Sequence, residues 1–162
     1  MKDQLLGQVD SMYEFFERST RALTEDDSTF APTDGVFTVA GQVAHVAQTI
    51  DWFMDGAFNP KGFSMDFEGM EKDVRDVTSL TEARAWLKRS IDKAKETIGA
   101  RSDEEWGQPL PDGPIMGGMP RAMIFGALTD HSAHHRGALT VYARLRGKTP
   151  PMPYMEDTGQ PS

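Results

Sequence analysis

The stretch PRAMIFGALTDHSAHHRGALTVYARLRG, residues 120–147, decides the fold. Along it Ile124, Ala127, Leu128, His131, His135, Leu139, Tyr142 and Leu145 recur at steps of three and four, the spacing that lines one face of an α-helix. Pro120 suits a first helical turn and Gly147 a stop, so the segment reads as one long amphipathic helix with histidines on its inward side. Three further segments read the same way. Gln4 to Leu23 carries Leu5, Leu6, Val9, Met12, Tyr13, Phe16 and Leu23 at helical steps, with Asp3 as the expected N-cap. Thr38 to about Phe58 is helical despite its glycines, and Ser79-Leu80-Thr81-Glu82 has the pattern of a capping box. From that box Leu80, Ala83, Leu87, Ile91, Ala94 and Ile98 form a stripe that ends at Gly99.

The connections are informative as well. EDDSTFAPTDG (25–35) has turn residues and no period, and residues 101–119 form either a short hairpin or an irregular loop. Asn59 to Thr78 is a longer connection than an antiparallel helix pair requires, which points to a crossover and an unusual bundle topology. The tail KTPPMPYMEDTGQPS (148–162) has too many prolines for a helix and is expected to drape over the surface as a flexible, extended segment. Four long amphipathic helices without an alternating strand make this an all-α chain, a four-helix bundle forming a single domain over 1–162.

Composition excludes several classes of function. A 162-residue chain with 38% hydrophobic and 26% charged residues is one soluble globular domain. No stretch approaches the roughly 20 apolar residues of a membrane span, and the N-terminus MKDQLLGQVDSMYEFF carries acids where a signal peptide needs an apolar run, so a cytoplasmic protein is expected. The absence of cysteine removes disulfides, thiolate metal sites and a cysteine nucleophile together. A net charge of −8, from 17 scattered basic and 25 acidic residues, opposes binding to a phosphate backbone. What chemistry remains must use histidine, carboxylates, hydroxyls or cofactors.

The histidines are His45, His131, His134 and His135. His131 and His135 stand about 40° apart around a helix axis and about 6 Å apart along it, near enough to share one cation. Apolar neighbours turn the pair inward, where each imidazole is kept neutral and needs a partner for its lone pair: a metal, or else a hydrogen bond from side chain, backbone or water. His45 shares its helix face with Thr38, Gly41, Gln42, Gln48, Thr49, Trp52 and Gly56, a face that belongs either to solvent or to a wet cavity between helices. Trp52 on the same face prefers burial. Should His45, His131 and His135 converge, they supply three nitrogen ligands with an open position, the arrangement of catalytic metal sites. Zinc or nickel are the foremost ions for such a donor set, with iron(II) and cobalt also compatible.

Around these ligands, Gln48 and Thr49 are candidates to orient ligands or a bound water, Trp52 and Tyr142 are candidate pocket walls, and the Tyr142 hydroxyl is placed to meet a substrate. His134, about 100° from His135 around the helix, faces a flank, where it touches a substrate, supports a ligand or lies at an interface. Arg136 is expected to form an ion pair at the helix flank or at a dimer interface, and Met12, Met54 and Met123 to fill the core.

DHSAHHRGALTVYARLRGKTPPMPY (130–154), with its His-x-x-His-His-Arg-Gly core, resembles the C-terminal signature of the DinB-like (DNA-damage-inducible) superfamily, and TVAGQVAHVAQTIDWF (38–53) resembles that family's second helix. The resemblance implies an up-down-down-up four-helix bundle, frequently a homodimer, with a divalent metal on three histidines that correspond to His45, His131 and His135. Relatives with an assigned activity include transferases of low-molecular-weight thiol cofactors and a mycothiol-dependent isomerase. Ala138 stands where the family's His-His-Arg-Gly-Gln pattern has its Gln. Two classes of function follow. One is a metal-dependent transferase or hydrolase that activates a low-molecular-weight thiol or a water against a small-molecule substrate. The other is a non-catalytic dimeric bundle whose metal or pocket serves stability, ligand binding or a stress response. Neither class calls for nucleic acid or membrane.

Overall fold

The computed structural model describes residues 1–155. Four long helices carry the fold: α1 (Lys2–Thr20), α2 (Val39–Phe58), then α4 (Leu80–Ala100) and α6 (Ile124–Leu145), with the shorter α3 (Phe67–Arg75) and α5 (Asp103–Gly107) in the connections. Side-chain caps start most of them. Thr38 accepts a hydrogen bond from the Gly41 amide at 3.1 Å, Asp66 from Gly69 at 3.0 Å and Ser79 from Glu82 at 3.2 Å. Asn59 leaves α2 in an extended conformation ahead of Pro60, which disfavours helical geometry in the residue before it. Gly147, at φ +73°, closes α6 with the amide of Lys148 on the Ala143 carbonyl at 2.9 Å.

The helix directions follow from the contacts between them. Ser28 accepts from the Leu80 amide through its hydroxyl at 2.9 Å and from the Ala40 amide through its carbonyl at 3.0 Å, so α2 and α4 start side by side. Further along, Trp86 donates to Asp51 at 2.8 Å and Lys93 pairs with Asp55 at 2.9 Å, which makes the two helices parallel. Lys2 reaches the Gly99 carbonyl at 3.1 Å while Arg84 reaches that of Thr20 at 2.8 Å, so α1 runs against α4. Contacts of Gln42 with Tyr142 and of Thr49 with His131 make α6 antiparallel to α2. The order is therefore up, down, down, up. A parallel α2–α4 pair obliges the chain to travel back along a 20-residue helix, about 30 Å, before α4 can begin. Residues 59–79 make that return, and α3 forms within it against α2.

Several boundaries differ from the expectations. Met1, not Asp3, precedes α1, and Asp3 lies in its first turn. That helix ends at Thr20, so Leu23 is buried from the loop rather than from a helical face. The 59–78 connection contains α3, and 101–119 begins with a helix before a hairpin-like loop: Ser102 and Glu105 cap α5, after which Pro109 and Pro120 form an antiparallel bridge, with the Arg121 amide on the Gln108 carbonyl at 2.9 Å and the Leu110 amide on that of Met119 at 2.7 Å. Leu145 is 59% exposed because it follows Val141 by four residues, on the flank of α6 that runs through His134 and Ala138 and faces away from the core. Met123 is also exposed, whereas Met12 and Met54 are core residues.

The central helix is α2, on which only His45, Asp51, Trp52, Asp55 and Phe58 are not buried. At Gly56 a Cβ would lie 2.2 Å from the Phe63 ring, so glycine lets the returning crossover press against this helix. Asp27, buried near the end of α6, is held well below the usual carboxylate range: burial opposes its charge, but Lys148, the Thr24 amide and Arg146 outweigh it. Of the expected flexible tail, 148–155 is described and packs on the bundle, with Pro150 buried and Tyr154 edge-on to Phe15. The rest of the tail lies outside the described residues. Among those described, no helix is long and apolar enough to cross a membrane.

Candidate metal centre

Because α2 and α6 run antiparallel, His45 from one meets His131 and His135 from the other. The Nε2 atom of His131 lies 3.2 Å from that of His45 and 3.1 Å from that of His135. The three candidate ligating nitrogens all fall within 4.8 Å of one another, and among the described residues the group consists of these three side chains. Zinc–nitrogen bonds of about 2.0–2.1 Å in a tetrahedron separate their nitrogens by about 3.3–3.4 Å, close to the two spacings about His131. The donor set fits a divalent cation.

The protonation states fit as well. Burial, reinforced by the neighbouring imidazoles, lowers His131 to about 4 and His135 to about 3. Burial also lowers His45, against the opposing charge of Glu71. All three rings are neutral at pH 7, so their lone pairs are available without displacing a proton.

The surrounding groups divide into those that touch the triad and those that brace it. Thr49 Oγ1 is 3.4 Å from His131 Nε2. Gln42 accepts a short hydrogen bond from His135 Nδ1, gives one to the Tyr142 hydroxyl at 3.3 Å, and that hydroxyl donates to the Phe37 carbonyl at 3.2 Å. The Phe37 ring rests on His45, centroids 5.1 Å apart, and Arg75 of α3 lies 4.8 Å from the centre of the same ring. Arg75 also pairs with Glu71 at 2.8 Å, so one short helix holds both the acid that acts on His45 and the base that positions it.

Of the residues singled out in the sequence, Gln48 binds the Met70 carbonyl at 2.8 Å and so anchors α3, while Thr49 reaches the triad. Trp52 donates to the Ser64 carbonyl at 2.9 Å and packs with Phe53, Phe63 and Phe67 beneath the crossover. The Tyr142 hydroxyl turns inward to its two partners rather than toward open solvent. His134 is exposed, its ring edge-on to that of His135 at 4.9 Å. Arg136 forms no ion pair among the described residues; it bonds the Tyr154 hydroxyl at 3.1 Å and lies over the rings of Phe15 and Tyr154, because the tail, not an acid, covers that flank. Sequence reasoning gave no role to Gln42, Phe37, Glu71 or Arg75. Only Gln42 left a signal, three residues before His45 on the same helical face.

The profile of the DinB family matches residues 3–161. The chain belongs to the DinB family. Among solved structures, this DinB-family chain superposes on YfiT from Bacillus subtilis with a TM-score of 0.69 at 16% sequence identity, over 91% of this chain and 89% of YfiT. YfiT is described as "a probable metal-dependent hydrolase with an unusual four-helix bundle topology". At that identity the likeness shows the shared fold, which in this DinB-family chain is the up-down-down-up bundle. No curated protein sequence matches it.

Proposed function

We propose that this DinB-family chain is a metal-dependent enzyme of the transferase or hydrolase class, acting on a small-molecule substrate with a low-molecular-weight thiol or water as nucleophile. The convergence of three neutral imidazoles from two helices, with no fourth protein ligand among the described residues, is the observation that carries it. Zinc or nickel is the ion of choice for this donor set, and iron(II) or cobalt are the alternatives. A divalent cation, when bound, supplies Lewis-acid activation of the nucleophile or of the substrate's electrophilic centre.

The chain's own residues do the rest. His45, His131 and His135 hold the cation from two helices whose packing fixes their separation. Thr49, buried beside His131, offers a hydroxyl that can donate to or accept from a group on the open side. Glu71, pinned by Arg75, places negative charge at the edge of the site and favours a cation there.

Two further parts of the proposal concern the setting. A homodimer is supported by an apolar strip on α6, where Val141 and Leu145 are more than half exposed beside Ala138 and His134. A cytoplasmic setting accords with a chain that lacks cysteine and would use a reduced thiol.

The test begins with elemental analysis of protein purified without a histidine tag, followed by assays of the metal-loaded form. Glutathione, bacillithiol, mycothiol and coenzyme A are each offered with electrophiles and an isomerisable substrate, and esters and amides are offered with water alone. A free thiol of pKa about 8.5 is mostly protonated at pH 7, so metal-dependent conjugation at neutral pH, abolished by a chelator, is the expected signature of the thiol route. No acceleration over metal-free protein with any thiol or with water overturns the enzymatic role in favour of a binding or structural one.

A further inference from the structure

We propose that Tyr142 and Gln42 are positioning residues that fix the tautomer of His135, leaving its Nε2 lone pair free for a cation; this rests on the metal-binding role proposed above. The direction of one hydrogen-bond chain carries the assignment. The Phe37 carbonyl can only accept, so the Tyr142 hydroxyl must spend its single proton there, at 3.2 Å. The Tyr142 oxygen is then an acceptor, and the group of Gln42 that faces it at 3.3 Å must be the amide nitrogen. With the nitrogen end committed, Gln42 presents Oε1 to His135, and an amide oxygen can only accept. His135 therefore carries its proton on Nδ1, and Nε2, which lies 3.1 Å from His131 Nε2, keeps a free lone pair.

Burial makes the chain strict. Gln42, Tyr142 and His135 are 7%, 6% and 9% exposed, so water has little access to replace a missing partner. The Tyr142 ring is itself wedged edge-on against Phe30, centroids 5.9 Å apart, which fixes the direction of its hydroxyl. Phe37 thus serves two ligands from the loop before α2: its carbonyl starts the chain to His135 and its ring supports His45. Without the Tyr142 hydroxyl, the Gln42 amide has no reason to prefer one orientation. Flipped, it would offer N–H to Nδ1, and the imidazole proton would move to Nε2, where it blocks coordination.

The experiment uses the full chain in four variants, Gln42→Leu, Gln42→Glu, Tyr142→Phe and the double change Tyr142→Phe with Gln42→Glu. Two readouts apply to each: the 15N imidazole shifts of His135 in metal-free protein, and the zinc dissociation constant from competition with a chromogenic chelator. Wild-type His135 is expected as the Nδ1–H tautomer. Gln42→Leu is expected to weaken zinc about 10- to 100-fold, the usual effect of losing a partner behind a metal-binding histidine. Tyr142→Phe is expected to give mixed tautomers and about tenfold weaker zinc. The Gln42→Glu single variant should bind zinc at least as tightly as wild type, since a carboxylate accepts from Nδ1–H with either oxygen. For the same reason the double variant should recover wild-type affinity to within about threefold, needing no tyrosine to orient it. A packing defect at position 142 would persist in the double variant, so failure of the rescue overturns the proposal. Zinc-binding wild-type protein with the Nε2–H tautomer overturns this inference alone. Wild-type protein with the Nδ1–H tautomer and no zinc affinity overturns the metal-binding role, and the coordinating purpose of the chain with it.

Discussion

His131 is the ligand whose loss is most informative, because its Nε2 stands between the other two, 3.2 Å from His45 and 3.1 Å from His135. Replacing it with alanine leaves two nitrogens on different helices and removes the closest contacts within the set. A ligand that binds only the folded state stabilises it by RT ln(1 + [L]/Kd), about 2.7 kcal/mol when free metal is at 100 times Kd. For a 162-residue chain each kcal/mol moves Tm by about 2–4 °C, so zinc at that excess should raise the melting temperature of chelator-stripped wild-type protein by about 5–10 °C. In His131→Ala the rise should shrink to about 1 °C or less, because the remaining pair cannot reach comparable affinity at the same zinc concentration. His134→Ala should keep the wild-type rise, since that ring is exposed and outside the cluster. The measurement is differential scanning fluorimetry of each stripped variant with and without zinc, paired with elemental analysis. Each shift is taken within one variant, so changes in metal-free stability cancel. A full shift in His131→Ala, or a lost shift in His134→Ala, refutes the assignment of ligands on α6.

Other consequences are open to test. His131 and His135 have folded pKa values of about 4 and 3, below the 6.5 of the unfolded chain, so the unfolded chain takes up protons first. Their stabilisation is full above pH 6.5 and lost as pH falls toward 3: metal-free protein should show a lower denaturation midpoint at pH 5 than at pH 7, and the difference should narrow in the His131→Ala, His135→Ala double variant. An equal or higher midpoint at pH 5 in the parent contradicts this. Glutamate at Val141 and Leu145 should convert a homodimer to monomers in light scattering at unchanged helicity, and a wild-type monomer at micromolar concentration would reject the dimer. Duplex DNA should not bind, because a chain of net charge −8 without a basic stripe releases few counterions; a sub-micromolar, salt-sensitive affinity at physiological salt would reverse that expectation.

The four long helices were legible in the sequence because each has a stripe long enough for its period to show. The short ones were not, for a matching reason. Only Val74 of α3 and Trp106 of α5 are buried, and one buried position has no period. Leu145 follows buried Tyr142 by three residues but exposed Val141 by four, and spacing alone does not say which of two adjoining faces is covered. His131 and His135 were readable as a pair because they share a helix, four residues apart. The face of His45 was ambiguous because α2 is buried almost all round, so polar residues such as Gln42, Gln48 and Thr49 face packed helices and not solvent. What Gln42 does depends on a partner 93 positions away, and what Tyr142 does depends on the direction of a hydroxyl proton. Neither is encoded in local spacing.

The topology bears directly on the site. In a simple up-down-up-down bundle, short loops would join α2 to an antiparallel neighbour, and no chain would pass back over the outer side of α2. Here α2 and α4 are parallel, so residues 59–79 must return along the bundle, and α3 is what they form on the way. Gln48 fixes that return by binding the Met70 carbonyl one turn after His45. The next residue, Glu71, then acts on His45, and Arg75 lies over the Phe37 ring that supports the same imidazole. The two helices that supply the ligands are thus only part of the centre. The crossover forced by the helix order contributes charge and cover on the His45 side, while α6 contributes the opposite wall through His131, His135 and Tyr142. It follows that shortening residues 59–79 would not merely trim a loop: it would remove α3, and with it Glu71 and the Arg75 guanidinium that backs the Phe37 ring on one side of the triad.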